Sequence, residues 1–243
     1  GNGFALNDST LATAEWARQL RVPFRDIERN HATFAPDTFL YFIDPITPTT
    51  GGLSGMFFTR YGRGVTVGGW DYYARLRDHD AAFVYYFDAA RRAVEIPVEK
   101  NVATKASPDL PANFTAPIQL EGYEVARATI QRGSPLVLIL YWRGAEQIAG
   151  NYSVFAHLLA PNGKVIAQSD REPRKGQLPT SKWEPQRLVV DAIILPVPSD
   201  ASLGSDYKIQ IGLYDAQTLQ RLPSIDARGN PSADAITLAP FSI

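Results

Sequence analysis

Apolar and polar residues follow two different rhythms along this chain. Residues 7 to 99 mix helical and strand signals, whereas residues 117 to 243 read as strands separated by Gly, Pro, Asn and Asp turns. In the first stretch, Asp8 or Ser9 is placed to cap a helix running to about Glu28. Leu11, Ala14, Ala17, Arg18, Leu20 and Arg21 form its imperfect amphipathic face, which Pro23 interrupts. TFLYFID (38–44) predicts a compact buried strand, followed by a Pro/Thr/Gly loop, a short helix around Ser54 to Tyr61 and a short strand at Val65 to Gly68. Tyr72 to Arg77 predicts another helix, AFVYYFD (82–88) a third strand and Ala93 to Val98 a fourth. That order, α-β-α-β-α-β-β, predicts a small α/β unit with a mainly parallel sheet.

The second stretch is more regular. YKIQIGLY (207–214) alternates apolar with mostly polar positions, as a strand does when one sheet face is buried, and Leu136 to Trp142 is apolar throughout, as a strand covered on both faces would be. With strands near 119–126, 152–159, 164–168, 188–195 and 235–242, the count reaches seven or eight and predicts a β-sandwich of immunoglobulin-like or jelly-roll type. NVATKASPDLPANFTA (101–116), with Pro108 and Pro111 opposing regular structure, is expected to be a linker. The expected organisation is an α+β two-domain chain: a small α/β domain over 1–100, a linker over 101–116 and an all-β sandwich over 117–243.

Composition narrows the function classes. With 45% hydrophobic and 11% aromatic residues, 243 residues are enough for packed cores. Lys and Arg (24) balance Asp and Glu (25), so the basic excess of a general phosphate-backbone binder is missing and nucleic acid is not an expected partner. Without cysteine, disulfides, thiol catalysis and thiolate metal sites are excluded together. No run of about 18 apolar residues exists to span a bilayer, and the N-terminus lacks the basic start and apolar core of a signal peptide. Starting at Gly1-Asn2-Gly3 suggests a processed chain or an excised segment. Sequons at Asn7, Asn113 and Asn151 matter only if the host glycosylates.

Two constellations carry candidate chemistry. The first is a polar signature within the strand-rich half: Tyr152-Ser-Val-Phe-Ala-His157, Gln168-Ser-Asp170, Thr180-Ser-Lys-Trp183 and Asp191. Strand alternation puts His157 on the face of Phe155 and Leu159, and Asp191 on the face of Val189 and Ile193. A buried polar group without a partner costs about 1–3 kcal/mol, so His157, Gln168, Asp170, Thr180 and Asp191 are expected to satisfy one another. The alternative is a polar floor for a sugar or other hydroxylated ligand, with Trp183, Tyr152 or Trp142 as a stacking platform. The paired network is favoured, because buried polar groups are normally paired.

The second constellation is Asp44, Asp71 and Asp88, each following a predicted strand, at the sheet edge where ligands bind in open α/β folds. Three carboxylates there suit a metal or acid–base work, and Gly51-Gly52-Leu53-Ser54-Gly55 would offer amides to an anion at a helix start. Turn and capping roles are favoured for these aspartates, and no catalytic residue is assigned. No nucleophile elbow or phosphate loop is present, and His31, His79 and His157 lie far apart without an HExxH pair; neither a metal nor a cofactor is expected. Arg171, Arg174, Lys175 and Lys182 form a modest basic loop, read as solvated surface.

Taken together, Leu120-Glu-Gly122-Tyr123, Leu138-Ile-Leu-Tyr141-Trp142, Tyr152 to Leu158, Gly163 to Asp170, Pro179 to Trp183 and Ile211-Gly212-Leu-Tyr214-Asp215 resemble the soluble C-terminal β domain of bacterial multi-pass membrane proteins of the glycosyltransferase 39, or dolichyl-phosphate-mannose protein mannosyltransferase-like, group. The resemblance covers about residues 117 to 223, and residues 7 to 99 more loosely resemble the α/β segment preceding that domain. It implies an extracytoplasmic accessory region tethered by preceding membrane helices, with the membrane portion of the same polypeptide and a glycan or protein acceptor as partners. The catalytic carboxylates of such transferases lie in the membrane portion, so none is carried over here. Gln186-Arg187 replaces the Gly that usually follows Trp183-x-Pro, and Ser205 stands beside Gly204; both are loop changes. Two other functions compete: an autonomous carbohydrate-binding module, and a hydrolase or transferase using the strand-end carboxylates.

Overall fold

The computed structural model describes residues 8–45, 51–99, 107, 109–238 and 240–243, with side chains from residue 19 onward in the first helix and from 53 in the second. The chain divides into two compact units, Gly1–Val98 and Glu99–Ile243. Among the described residues, no helix is long and apolar enough to cross a membrane.

In the first unit, helix α1 (Asp8–Asn30) runs through Pro23 and ends just past the predicted Glu28. It is followed by β1 (Thr38–Phe42), α2 (Gly51–Tyr61), β2 (Val65–Gly69), a 3-10 segment (Trp70–Asp78), β3 (Ala81–Phe87) and β4 (Ala93–Ile96). The predicted cap and the Leu11, Ala14, Ala17, Arg18 part of the helix face fall outside the described side chains, as do the Gly51 and Gly52 contributions to the second helix. Sheet order is β2-β1-β3-β4, parallel except for the β3–β4 hairpin. β1 is central and buried along its whole length, so its alternation decides two interfaces. Leu40 and Phe42 face Leu20 and Ile27 of α1 and Leu53 and Phe57 of α2 in one core. Phe39 and Tyr41 point the opposite way, where the Tyr41 and Tyr73 rings meet edge-on at 5.2 Å. That second covering is 3-10 rather than the predicted α-helix, and Trp70 enters it at a positive φ of 48°. The approach is close: a β-carbon at Gly68 would lie 2.5 Å from the Phe39 ring.

The second unit contains two antiparallel sheets. One is formed by β5 (Ala112–Phe114), β6 (Ile118–Val125), β7 (Pro135–Gly144), β10 (Leu188–Pro196) and β13 (Ser224–Ile225), in the order β10-β7-β6-β5-β13. The other is formed by β8 (Tyr152–Leu159), β9 (Val165–Arg171), β11 (Lys208–Asp215) and β12 (Arg221–Leu222), in the order β12-β11-β8-β9, with β14 (Ile236–Thr237) also pairing β11. Leu138, Leu140, Trp142 and Ile193 of the first sheet share one core with Val154, Ala156, Ile209 and Ile211 of the second. Each large side chain among them contributes about 1.5–3 kcal/mol on burial. A mostly β architecture of several open sheets results.

Two expectations need correction. Residues 112–114 are not linker but a strand, since Ala112 and Asn113 pair with Leu120 and Gln119, and Ser224 pairs with Phe114. Of the remaining expected linker, residues 101–106 and Pro108 lie outside the described residues. The strand predicted over 235–242 shrinks to two residues, with a separate bridge between Tyr207 and Phe241.

Candidate functional site

The polar signature does not form one network; it falls into three separate groups. The first centres on Asp191. On β10 its neighbours in alternation, Val189, Ile193 and Leu195, are core residues, and its cross-strand partner is Leu140, so the carboxylate is driven inward and is fully buried. Arg171 ends β9 opposite Val154, another core position, and therefore also points between the sheets. Its Nη2 donates to Asp191 Oδ1 at 3.0 Å and to the carbonyl of Ala192, and its Nη1 donates to the Glu172 carbonyl at 3.2 Å. The backbone amide of Arg174 donates to the same Oδ1 at 2.9 Å, while the Arg174 side chain donates to the Val190 carbonyl at 3.1 Å. β10 is an outer strand of its sheet, so these arginines occupy carbonyls that the ladder leaves open. Asp191 Oδ2 has no hydrogen-bond partner among the described residues.

The loop gripped in this way is unusual. Arg174 (φ 53°), Lys175 (φ 52°) and Gly176 (φ 82°) are consecutive left-handed residues, a conformation only the glycine adopts without cost. The Arg174 amide bond to a buried carboxylate and the Arg174 side-chain bond to the Val190 carbonyl are contacts that offset that strain. Arg174 is thus half-buried and engaged rather than part of a solvated basic surface, and Arg171 is turned inward beside it. Lys175 is exposed, as expected, and Lys182 is exposed too.

Thr180 anchors the second group. It is fully buried, its hydroxyl donates to the Gly150 carbonyl at 2.8 Å, and it accepts from the Tyr152 amide at 2.9 Å, tying the 179–183 turn to the start of β8. Trp183 follows into the core, donates Nε1–H to the Leu178 carbonyl at 3.1 Å, and lies 6.4 Å from the equally buried Trp142 ring. Neither tryptophan is available as a stacking platform, and Tyr152 is half-buried against the core.

His157 and Asp170 make up the third. The His157 face carries Phe155, as the alternation predicts, but it is the outer face of the sheet: Val154, Ala156 and Leu158 are the core positions. His157 Nε2 stands 3.5 Å from Asp170 Oδ2, and the ring lies 5.0 Å from Phe155. Gln168 is the exposed cross-strand neighbour of His157. Phe155 is nonetheless buried, because Gly212 on β11 leaves room for its ring and Arg221 covers it at 4.5 Å.

In the first unit the three strand-end aspartates stand in different settings. Asp44 is buried at a positive φ of 47°, Asp71 is exposed at the start of the 3-10 segment, and Asp88 closes the β3–β4 turn by accepting from the Arg92 amide at 2.8 Å. Among the described residues no group of three or more His, Cys, Asp or Glu is arranged to hold a metal ion.

Sequence reasoning missed other polar constellations there. His31 Nε2 and Glu95 Oε2 are 2.6 Å apart, and the Tyr85 hydroxyl donates to the same oxygen at 2.9 Å. His31 stacks on Phe34 at 4.8 Å and meets Phe83 edge-on at 4.8 Å. Burial, then the adjacent Glu95 carboxylate, pushes the Tyr85 phenol far above its ordinary range. His79 Nδ1 similarly lies 2.7 Å from Asp37, with its ring stacked on Phe39 at 5.0 Å. Asp26, buried in α1, receives two bonds from the Arg92 side chain, at 2.6 and 2.7 Å. That guanidinium holds its carboxyl below the ordinary carboxylate range, against the opposing effect of burial. No local motif announces these pairs, whose members are 42 to 66 residues apart.

The second unit also has a cavity of about 470 Å³, lined by the β8–β9 hairpin and the loop before β11.

No family model and no curated protein matches the chain. Among solved structures, the chain is similar to the C-terminal domain of wzt, with 11% identity, a TM-score of 0.38 and coverage of 58% of this chain and 85% of that one. It is also similar to AvmM, described as catalysing macrocyclization in alchivemycin A biosynthesis, with 10% identity, a TM-score of 0.26 and coverage of 59% and 96%.

Proposed function

We propose that this chain is a non-catalytic extracytoplasmic accessory region of a membrane glycosyltransferase-like protein, where it positions a glycan, acceptor or partner. In this reading the second unit is a sandwich of immunoglobulin-like or jelly-roll kind. The observation that carries the proposal is how the polar signature is used: Asp191 through Oδ1, Thr180 through its hydroxyl and Trp183 through Nε1 bond to loop backbone and to Arg171. Such residues build a scaffold and leave binding to surfaces around it. The sequence resemblance supplies the membrane context. Neither competing reading draws the same support, since Trp142 and Trp183 are core residues and Asp88 is taken up by the β3–β4 turn.

The test is fractionation of the source cells with an antibody raised against this chain. The antigen is expected in the membrane fraction, on a polypeptide larger than 26.8 kDa, and to be cleaved by protease added outside the cytoplasmic membrane. A soluble cytoplasmic antigen would contradict the proposal.

A further inference from the structure

The cavity in the second unit combines a rigid frame with uncommitted polar groups. One wall is the hairpin between β8 and β9. There the Ala160 amide donates to the Lys164 carbonyl and the Gly163 amide to the Ala160 carbonyl, both at 2.8 Å, with Gly163 at a positive φ of 83°. The Asn162 side-chain oxygen accepts from the Lys164 amide at 3.0 Å, a bond that leaves the Asn162 side-chain NH₂ out. The opposite wall is the loop from Pro198 to Tyr207. Tyr207 pins it: its hydroxyl donates to the Ser202 carbonyl at 2.6 Å, and its backbone exchanges bonds with Phe241 at 3.1 and 2.8 Å. Both walls are therefore set before any ligand arrives, which lowers the ordering cost of binding.

The side chains of Lys164, from one wall, and Asp200, from the other, enter no hydrogen bond or ion pair with the described residues, and the same holds for the Ser202 hydroxyl. Val165, 40% exposed, and the half-buried Ile166 provide apolar surface beside them. A volume of about 470 Å³ falls in the range of small-molecule sites, and the lining is more polar than apolar, which suits a ligand rich in hydroxyl groups.

The mixture selects among ligands. An anion would meet the Asp200 carboxylate and a simple cation the Lys164 ammonium, while a purely apolar molecule would desolvate both charges without replacing their hydrogen bonds. A neutral polyhydroxylated ring meets all requirements, because each hydroxyl donates and accepts and its C–H face suits Val165 and Ile166. We propose that this cavity binds a neutral mono- or disaccharide, an inference that rests on the glycan-positioning form of the function above and gives it a location.

The experiment is a backbone-assigned NMR titration of the chain with neutral hexoses, N-acetylhexosamines and their disaccharides, with inorganic phosphate as an anionic probe and glycine betaine as a zwitterionic one. Saturable shifts are expected at Val165, Ile166, Ala201 and Ser202, and Lys164→Ala and Asp200→Ala, both at exposed positions, should each weaken binding about tenfold while leaving distant amides unshifted. Sugar-induced shifts confined to His157, Gln168 and Gln210, the β11 cross-strand partner of His157, would overturn the cavity assignment and leave the glycan reading standing. Preferential saturation of the cavity by phosphate or betaine would overturn the ligand class. Absence of any sugar-dependent shift would overturn the cavity proposal, while membrane fractionation separately decides the accessory role.

Discussion

Arg171 of β9 and Asp191 of β10 stand on the inward faces of two different sheets and meet at 3.0 Å between Nη2 and Oδ1. The pair joins the sheets at their margin and, through the Arg174 amide, fixes a loop with three left-handed residues. Asp191→Ala would remove the buried carboxylate to which both the Arg171 guanidinium and the Arg174 amide donate. A loss of about 3–5 kcal/mol in urea unfolding is expected.

Thr180 uses one hydroxyl twice, as donor to Gly150 and acceptor from Tyr152. Thr180→Val keeps the shape and deletes both bonds, so it should cost about 1–3 kcal/mol, whereas Thr180→Ser should retain most of the stability. Equal unfolding midpoints for the valine and serine variants would contradict this role.

Gly212 is required for space rather than for backbone conformation. A methyl group there would collide with the Phe155 ring and lie 2.9 Å from the Asp234 carbonyl. Gly212→Ala is expected to destabilise by about 1–3 kcal/mol, and pairing it with Phe155→Leu should recover part of that loss. Thermal unfolding of the two single variants and the double variant measures the coupling.

Asp26 links the first unit's stability to acid. Its carboxyl is held below the ordinary value of 3.8, chiefly by the Arg92 side chain. A carboxyl depressed in the folded state contributes stability that is fully present above the unfolded value and is lost as pH falls through the folded one. Asp26→Asn should therefore flatten the stability–pH curve below about pH 4 while leaving its shape near neutrality unchanged. Chemical denaturation at stepped pH checks the slope; an unaltered acid limb would argue against the linkage.

Legibility followed the range of the interactions. The four strands of the first unit and the main strands of the second were readable because alternation and apolar runs are local properties. β5 was hidden by Pro111 and small residues, and its ordering comes from Leu120, Gln119 and Ser224. Alternation placed His157 with Phe155 and Asp191 with Val189, yet could not say which face was the core; the two residues point to different environments. The bulge between Leu158 and Leu159 further shifts the phase of β9, so the inward direction of Arg171 follows only from the pairing register. The sequence offered Trp183 as a stacking platform, and only its burial beside Trp142 shows it to be core. The His31–Glu95 contact spans 64 residues of sequence and left no local trace.

The claim that the polar signature is scaffold is tested most directly by a double-mutant cycle in urea unfolding on Arg171→Met and Asp191→Leu. Each single variant should be strongly destabilised, and the double variant should recover at least about 1.5 kcal/mol relative to their sum. Single variants within about 0.5 kcal/mol of the parent, with no coupling, would mean that the pair does not hold the fold and would contradict the account.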